Sequence, residues 1–268
     1  MMAGVLTSTV AGLRVRRGGQ GHPLLLLHGW AMSGAVFGEL LSNPPAGLEL
    51  IAIDLPGHGG SAVPEENSLP VWAERLETTI RELELPSWSL LGWSLGGMLA
   101  LQLVGRGNVC PERLLLVATT PRFTADEDWP AGLPLPQLRA MQRDLKRAFR
   151  PTLEGFFQLL FAADEIGRER YRQIARFAVG PDLLPDERSA ADGLRILQRE
   201  DLRPLVEAIP VPTLVMHGDC DEVIPVAAGE WLAANLPAAR LERFPRVGHA
   251  PFFSSPEIFL RLVGDFCR

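Results

Sequence analysis

The chain has 268 residues, 47% hydrophobic and 22% charged, and 26 basic against 32 acidic residues leave a formal charge of −6. That length and apolar content suit one large α/β domain and exclude intrinsic disorder, while only three cysteines exclude a disulfide scaffold. The acidic balance also excludes nucleic-acid binding driven by overall charge.

In chain order, Met1–Val10 is mildly apolar, but Arg14, Arg16 and Arg17 follow that stretch instead of preceding it, the wrong polarity for a secretory signal. Short apolar runs at Leu24–Leu27, Leu48–Ile53, Trp88–Leu91 and Leu114–Ala118 read as strands. Between them, Leu69, Trp72, Leu76, Ile80 and Leu83 recur at helical spacing, with Asn67 or Ser68 available as a cap ahead of Pro70. Leu85–Gly105 runs 21 residues without a charge, yet its Pro86, serines and glycines fit a strand, a sharp turn and a buried helix better than a membrane span. Strands alternating with helices predict a mainly parallel sheet covered on both faces.

The texture changes after Thr120. Residues 121–136 are rich in proline, including Pro130, Pro134 and Pro136, and helical segments bearing Arg and Phe follow from about Gln137 to Phe177. Strand texture returns near Ile209, with Thr213–His217 and Leu241–Phe244 on either side of a helix at Val226–Asn235, and a last helix spans Pro256–Phe266. The expected organisation is a core formed by 1–120 and 191–268, interrupted by a helical cap at 121–190. Cys110, Cys220 and Cys267 lack metal-ligand spacing and read as reduced thiols of a cytoplasmic protein.

The sharpest local signal is Gly92-Trp93-Ser94-Leu95-Gly96, a G-x-S-x-G between an apolar strand and an apolar helix. A serine on such a strand-to-helix turn projects its hydroxyl out of the sheet, and the helix N-terminus offers free N–H groups to developing negative charge. Taken alone, the pentapeptide also fits a glycine-rich turn carrying a passenger serine. His28-Gly29-Trp30 follows an earlier strand, and the backbone N–H groups of Trp30 and Leu95 are the expected oxyanion hole. His28 itself reads as a structural histidine that bonds the loop. An acid and a base should follow the serine in that order. His217-Gly218-Asp219-Cys220-Asp221 offers Asp221 as the acid, with Asp219 as runner-up, and Gly248-His249-Ala250-Pro251 offers His249 as the base.

This constellation resembles the α/β-hydrolase superfamily over nearly the whole chain, and Asp54-Leu55-Pro56-Gly57-His58-Gly59-Gly60-Ser61 is similar to a structural loop common there. The resemblance implies an α/β-hydrolase fold with a mostly parallel sheet and an inserted helical cap. Leu26-Leu27-His28-Gly29-Trp30, Leu91-Gly92-Trp93-Ser94-Leu95-Gly96-Gly97 and His249-Ala250-Pro251-Phe252 look most like the pimeloyl-acyl-carrier-protein methyl ester esterase family of biotin synthesis. Asp126-Glu127-Asp128-Trp129-Pro130 and Leu194-Arg195-Ile196-Leu197 match its texture as well. That likeness implies methyl-ester hydrolysis through Ser94, His249 and Asp221, with no cofactor or metal and an acyl carrier protein as partner. By analogy, Trp30, Leu95, Phe156, Phe157, Gln158, Leu159 and Leu160 line the acyl tunnel, although packing within the cap explains the phenylalanines equally well.

Arg139 to Arg176 hold nine basic and five acidic residues, a net +4, so the remainder of the chain carries −10. A basic cap suits an acidic carrier protein. Arg139, Arg143, Arg147, Arg150, Arg168 and Arg172 are the candidate docking residues, and the competing reading is a solvated helix face. Rival functions on the same fold are a short-chain carboxylesterase and a menaquinone-pathway lyase, and a more distant one is a ligand receptor that retains the triad. The protein is expected to be a soluble monomer.

Overall fold

The computed structural model describes residues 4–162, 164 and 166–268. The first three residues of Met1–Val10 therefore lie outside the described residues. The chain opens with a hairpin absent from the sequence reading, β1 (Leu6–Val10) and β2 (Leu13–Gly19), joined by a tight turn in which Ala11 and Gly12 have φ of 48° and 79°. β1 is exposed almost throughout. In β2, Leu13 and Val15 face the core, and Arg16 is buried by pairing with Asp54. Arginines alternating with single apolar residues hide the period-2 pattern of a strand.

β3 (His22–Leu27) leads through a one-turn helix at Gly34–Phe37 into α1 (Gly38–Ser42) and β4 (Leu48–Ile53). α2 (Leu69–Glu82) starts at Ser68, whose hydroxyl accepts from Val71 N–H, while Asn67 instead accepts the indole N–H of Trp72 at 2.8 Å. Both polar residues ahead of Pro70 are therefore used, and only Ser68 caps the helix. Then come β5 (Ser89–Trp93), α3 (Leu95–Gly105) and β6 (Leu114–Val117). α3 is buried from Leu95 to Val104, as a helix apolar all round must be.

Between β6 and the next sheet strand lie the short paired β7 (Thr124–Ala125) and β8 (Leu133–Pro134), then α4 (Leu135–Arg147), α5 (Phe149–Leu159), α6 (Arg168–Ala178), α7 (Glu187–Arg199) and α8 (Arg203–Val206). The boundary expected at residue 190 falls inside α7, because the amphipathic repeat starting after the Asp186 cap runs on through Gly193, with no proline, to Arg199. The two ends of this excursion meet where Leu202 N–H donates to Pro121 O at 2.8 Å and Arg122 bridges Asp201. β9 (Thr213–Gly218), α9 (Val226–Asn235), β10 (Ala239–Phe244), α10 (Pro251–Ser254) and α11 (Pro256–Phe266) complete the chain.

The sheet order is β1-β2-β4-β3-β5-β6-β9-β10, parallel from β4 to β10, with β2 antiparallel to β4 and β1 antiparallel to β2. The chain leaves β3 for β4 on one side and returns to β5 on the other, so its winding reverses between β3 and β5. Register aligns Leu27 with Gly92, Trp93 with Val117, and Val117 with Met216. The loops that follow β3, β5, β9 and β10 consequently gather at the carboxyl edge, where open α/β sheets hold their ligands.

Candidate active site

Ser94 sits at the junction of β5 and α3 with φ 56° and ψ −120°, a conformation costly for a residue with a Cβ and typical of functional turns. The turn is held on both sides: Ser94 N–H donates to Val117 O at 2.9 Å, and Thr119 Oγ1 donates to Ser94 O at 2.7 Å. The turn works only because α3 crosses β3 very closely. A Cβ built at Gly96 would lie 2.3 Å from Leu27 O, a backbone atom that cannot move aside.

The loop after β3 lies directly against this serine, since a Cβ on Gly29 would be 3.1 Å from Ser94 Cβ. His28 anchors that loop. Its Nδ1 lies 2.8 Å from Gly29 O, which can only accept, and its Nε2 accepts Leu55 N–H at 2.9 Å. The ring is therefore neutral with its proton on Nδ1; burial, then the nearby His58, push its pKa down to about 3. His28 thus takes the structural place expected for it. Neither Trp30 N–H nor Leu95 N–H donates a hydrogen bond among the described residues, which leaves both free to meet an oxyanion.

His249 and Asp221 come from the loops after β10 and β9. These loops are joined by Asp219 N–H to Phe244 O and Cys220 N–H to Val247 O, both 3.0 Å. His249 Nδ1 is 2.7 Å from Asp221 Oδ2, and Asp221 Oδ1 accepts Val223 N–H at 2.8 Å and Ile224 N–H at 2.9 Å. Burial alone pushes the Asp221 carboxyl up, but the adjacent imidazoles of His249 and His217 outweigh it and hold the group well below the usual carboxylate range. Asp219 is settled differently: it pairs with Arg243 at 2.7 Å, away from His249. The indole N–H of Trp93 donates to His249 O at 2.8 Å, so the residue preceding Ser94 also fixes the histidine loop. His249 Nε2 is buried and makes no hydrogen bond among the described residues. An ionised carboxylate orienting an imidazole, on the same sheet edge as a strained serine at a helix N-terminus, is a set of groups of the kind that acyl transfer uses.

Contacts from the segment between α5 and α6 and from α6 itself were not legible in the sequence. His249 N–H donates to Leu160 O at 3.1 Å, and Asp164 accepts from both Gly248 N–H and the Ser254 hydroxyl. Arg170 on α6 makes a two-pronged ion pair with Glu39 of α1. Nothing in local pattern distinguishes these charges from solvated ones.

A cavity of about 800 Å³ lies beneath α4 and α5. Phe123, Leu133, Met141, Phe156, Leu159 and Val223 supply apolar walls, and Gln137, Asp144, Thr152 and Glu222 supply polar ones. Of the residues expected to line a tunnel, Phe156 and Leu159 do so. Trp30 meets the edge of Phe156, with ring centroids 4.8 Å apart, while its indole N–H holds Ala190 O at 2.8 Å. Leu95 and Leu160 are buried outside the cavity wall. Phe157 packs on Phe161 and Tyr171, and Gln158 is exposed; neither lines the cavity, because helical rotation turns them away from the face that carries Phe156. Ser94, Asp221 and His249 are not among the cavity's lining residues; Glu222 and Val223, which directly follow Asp221 in the chain, form the part of the wall nearest to them in sequence.

The six candidate docking arginines are all exposed, and they are distributed over three helices. Arg139, Arg143 and Arg147 form one face of α4, which packs on α5 and α7, and Arg150 begins the next helix. Arg168 and Arg172 lie on α6, which packs on the Gly34–Phe37 turn, and Arg172 pairs with Glu169 at 4.0 Å.

The α/β hydrolase fold family model matches residues 22–256. A pimeloyl-acyl-carrier-protein methyl ester esterase of Nitrosomonas europaea is 34% identical over 94% of this chain and 98% of its own length. The protein of that name from Chromobacterium violaceum is 34% identical over 92% of this chain and 94% of its own. Among solved structures, an esterase from Exiguobacterium antarcticum superposes with a TM-score of 0.87 at 26% identity, covering 98% of this chain and 99% of that one. A Bacillus anthracis bromoperoxidase at 21% identity and TM-score 0.87, over 98% and 99% of the two chains, shares the fold. No described helix is long and apolar enough to cross a membrane. The chain belongs to the α/β hydrolase fold family and, within it, to the carboxylic ester hydrolases of the pimeloyl-acyl-carrier-protein methyl ester esterase family.

Proposed function

We propose that the enzyme hydrolyses the methyl ester of a pimeloyl chain carried on an acyl carrier protein, releasing methanol, as a step of biotin synthesis. The observation that carries this reading is a strained Ser94 facing the oxyanion loop at the sheet edge that also holds His249 and Asp221, in a chain similar to such esterases along its whole length. Ser94 Oγ attacks the ester carbonyl carbon while His249 Nε2 takes its proton, and the Leu95 and Trp30 N–H groups receive the oxyanion. His249 returns the proton to the departing methanol. Water, deprotonated by the same nitrogen, then adds to the acyl-enzyme, and as the Ser94 Oγ–acyl bond breaks His249 returns that proton to Oγ; the freed acid ionises to the carboxylate. Asp221 keeps the His249 proton on Nδ1 and balances the imidazolium charge.

The segment from residue 121, expected to close at 190 but helical to Arg199, serves as the cap, with Phe156 and Leu159 in the acyl cavity and Trp30 supporting Phe156. The α4 face of Arg139, Arg143 and Arg147, with Arg150, docks the acidic carrier, and Arg168 and Arg172 form a second, separate basic patch. Three free cysteines, one of them exposed, suit a reducing cytoplasm, and the enzyme acts as a monomer.

Methanol release from the pimeloyl-carrier methyl ester, measured against hydrolysis of p-nitrophenyl butyrate, tests the assignment. The carrier substrate should be strongly preferred, and reversing Arg139, Arg143 and Arg147 to Glu should raise its KM and flatten its salt dependence while sparing the small ester. A carrier substrate turned over no better than the small ester would instead favour a general carboxylesterase, the reading that the Exiguobacterium antarcticum esterase supports. Loss of methanol release in Ser94→Ala separates either enzyme from a receptor.

A further inference from the structure

His217 is a fully buried titratable group to which the acyl-transfer scheme assigns no task. It lies in β9, four residues before Asp221. Its Nε2 is 2.9 Å from Ile224 O and 3.3 Å from Asp221 Oδ2. Both oxygens can only accept, so the ring proton resides on Nε2 and Nδ1 carries a bare lone pair. That Nδ1 is buried without a hydrogen-bond partner, and a Cβ at Gly229 of α9 would lie 2.6 Å from it. An unsatisfied buried nitrogen opposes folding, so packing alone would favour leucine here. The histidine therefore calls for a reason on its Nε2 side.

We infer that His217 is a positioning residue for the Asp221 carboxylate. Its N–H holds Ile224 O and so closes the turn whose Val223 and Ile224 N–H groups grip Oδ1. The same N–H presents its positive end to Oδ2, the oxygen that also takes His249. The inference rests on the assignment of Ser94, His249 and Asp221 proposed above. Besides His217 from β9, the charged and titratable groups around the carboxylate are His249 from the loop after β10, Asp164 from the cap segment and the neighbouring Glu222. Without the His217 N–H, the turn loosens and the negative charge on Oδ2 is shared with His249 alone. Turnover then falls, and the imidazolium form of the Asp221–His249 pair is favoured to higher pH.

The test is the pH dependence of p-nitrophenyl butyrate hydrolysis by the full-length enzyme and its His217→Leu, His217→Gln, Gly229→Ala and Ser94→Ala variants, with Tm recorded for each. His217→Leu should lose about 10- to 100-fold in kcat, the scale seen when a partner of a site ligand is removed, with KM nearly unchanged. Its acid limb should move up by roughly half a pH unit or more. His217→Gln, whose amide N–H falls near the same place, should recover most of the rate and the original limb. Gly229→Ala, which crowds the ring from α9, should shift the limb in the same direction as His217→Leu. Wild-type kcat and an unmoved limb in His217→Leu overturn the inference. So does a rate loss shared equally by the Leu and Gln variants with the limb in place, which marks a purely structural role. Should His217→Leu fail to fold, an unmoved limb in Gly229→Ala overturns it instead. Activity surviving in Ser94→Ala sinks the triad assignment itself, an outcome separate from all of these.

Discussion

Acid should destabilise this protein well before its carboxylates titrate, through two histidines beneath the active site. His28 and His58 are completely buried, and their pKa values are pushed down to about 3 and about 4 by burial, His28 also by the charge of His58. His28 spends both nitrogens on neutral-form hydrogen bonds, and His58 Nδ1 lies 2.9 Å from Pro56 O with its Nε2 unpartnered. An unfolded chain binds a proton at each ring below the ordinary value of 6.5, whereas the folded chain does not until about pH 4 or 3. Between those limits the unfolded state holds more protons, so stability is complete above pH 6.5 and falls as pH falls. From pH 7 to pH 5 each histidine should remove about 2 kcal/mol, and the pair roughly 4, a large share of a typical domain's stability. Urea unfolding followed by tryptophan fluorescence at pH 7, 6 and 5 measures this slope. The double variant His28→Asn/His58→Asn keeps an N–H near each Nδ1 but cannot titrate, so its slope over the same range should be much shallower. Asp164 and Glu200, whose carboxyls burial pushes up, act in the opposite sense, but they are common to both proteins and cancel in the comparison. Equal slopes in the two proteins would refute the reasoning.

Two further outcomes follow from the geometry. Asp221→Asn should lower kcat by roughly 10,000-fold, the scale of the analogous change in Ser-His-Asp enzymes. Val223 and Ile224 N–H claim the amide oxygen, which turns the NH2 toward His249 and forces its proton onto Nε2; a stopped assay showing less than a tenfold loss would contradict this. Asp54→Ala should cost about 3–5 kcal/mol in urea unfolding, because it strands the buried Arg16 guanidinium and leaves Gly34 and Gly60 N–H without their carboxylate acceptor. A loss under about 1 kcal/mol would show that Arg16 finds water on unpairing.

Expectation and structure agree where short-range chemistry is decisive. The uncharged run Leu85–Gly105 resolves into β5, the Ser94 turn and α3, because apolar residues all round and two glycines at the turn leave few alternatives. They part where partners are distant in sequence. The β1–β2 hairpin was hidden by arginines whose charge is answered only by Asp54 and Glu49 on β4 and beyond. Asp221 is the expected acid and Asp219 the runner-up from the loop alone; the distances that separate them come from β10, which places Arg243 beside Asp219, and from the following loop, which places His249 beside Asp221. The segment after Thr120 is helical over much of its length, as its sequence suggests, but which of Phe156, Phe157 and Gln158 faces the cavity depends on how α5 sits over the core.

What the sequence by itself determined is the alternation of strand and helix and the strand-to-helix turn at Ser94. Those follow from periodicity, glycine placement and the local cost of backbone strain. Only the tertiary structure decided which carboxylate meets the histidine, which residues of α4 and α5 line the cavity, and that His217 lies against Asp221. Each of these is a distance between residues brought together by sheet register or helix packing, and no local pattern encodes such a distance. The segment Arg139–Arg176 shows the difference: its excess charge is legible from residue counts, but what α4 and α6, which carry most of its arginines, pack against is not.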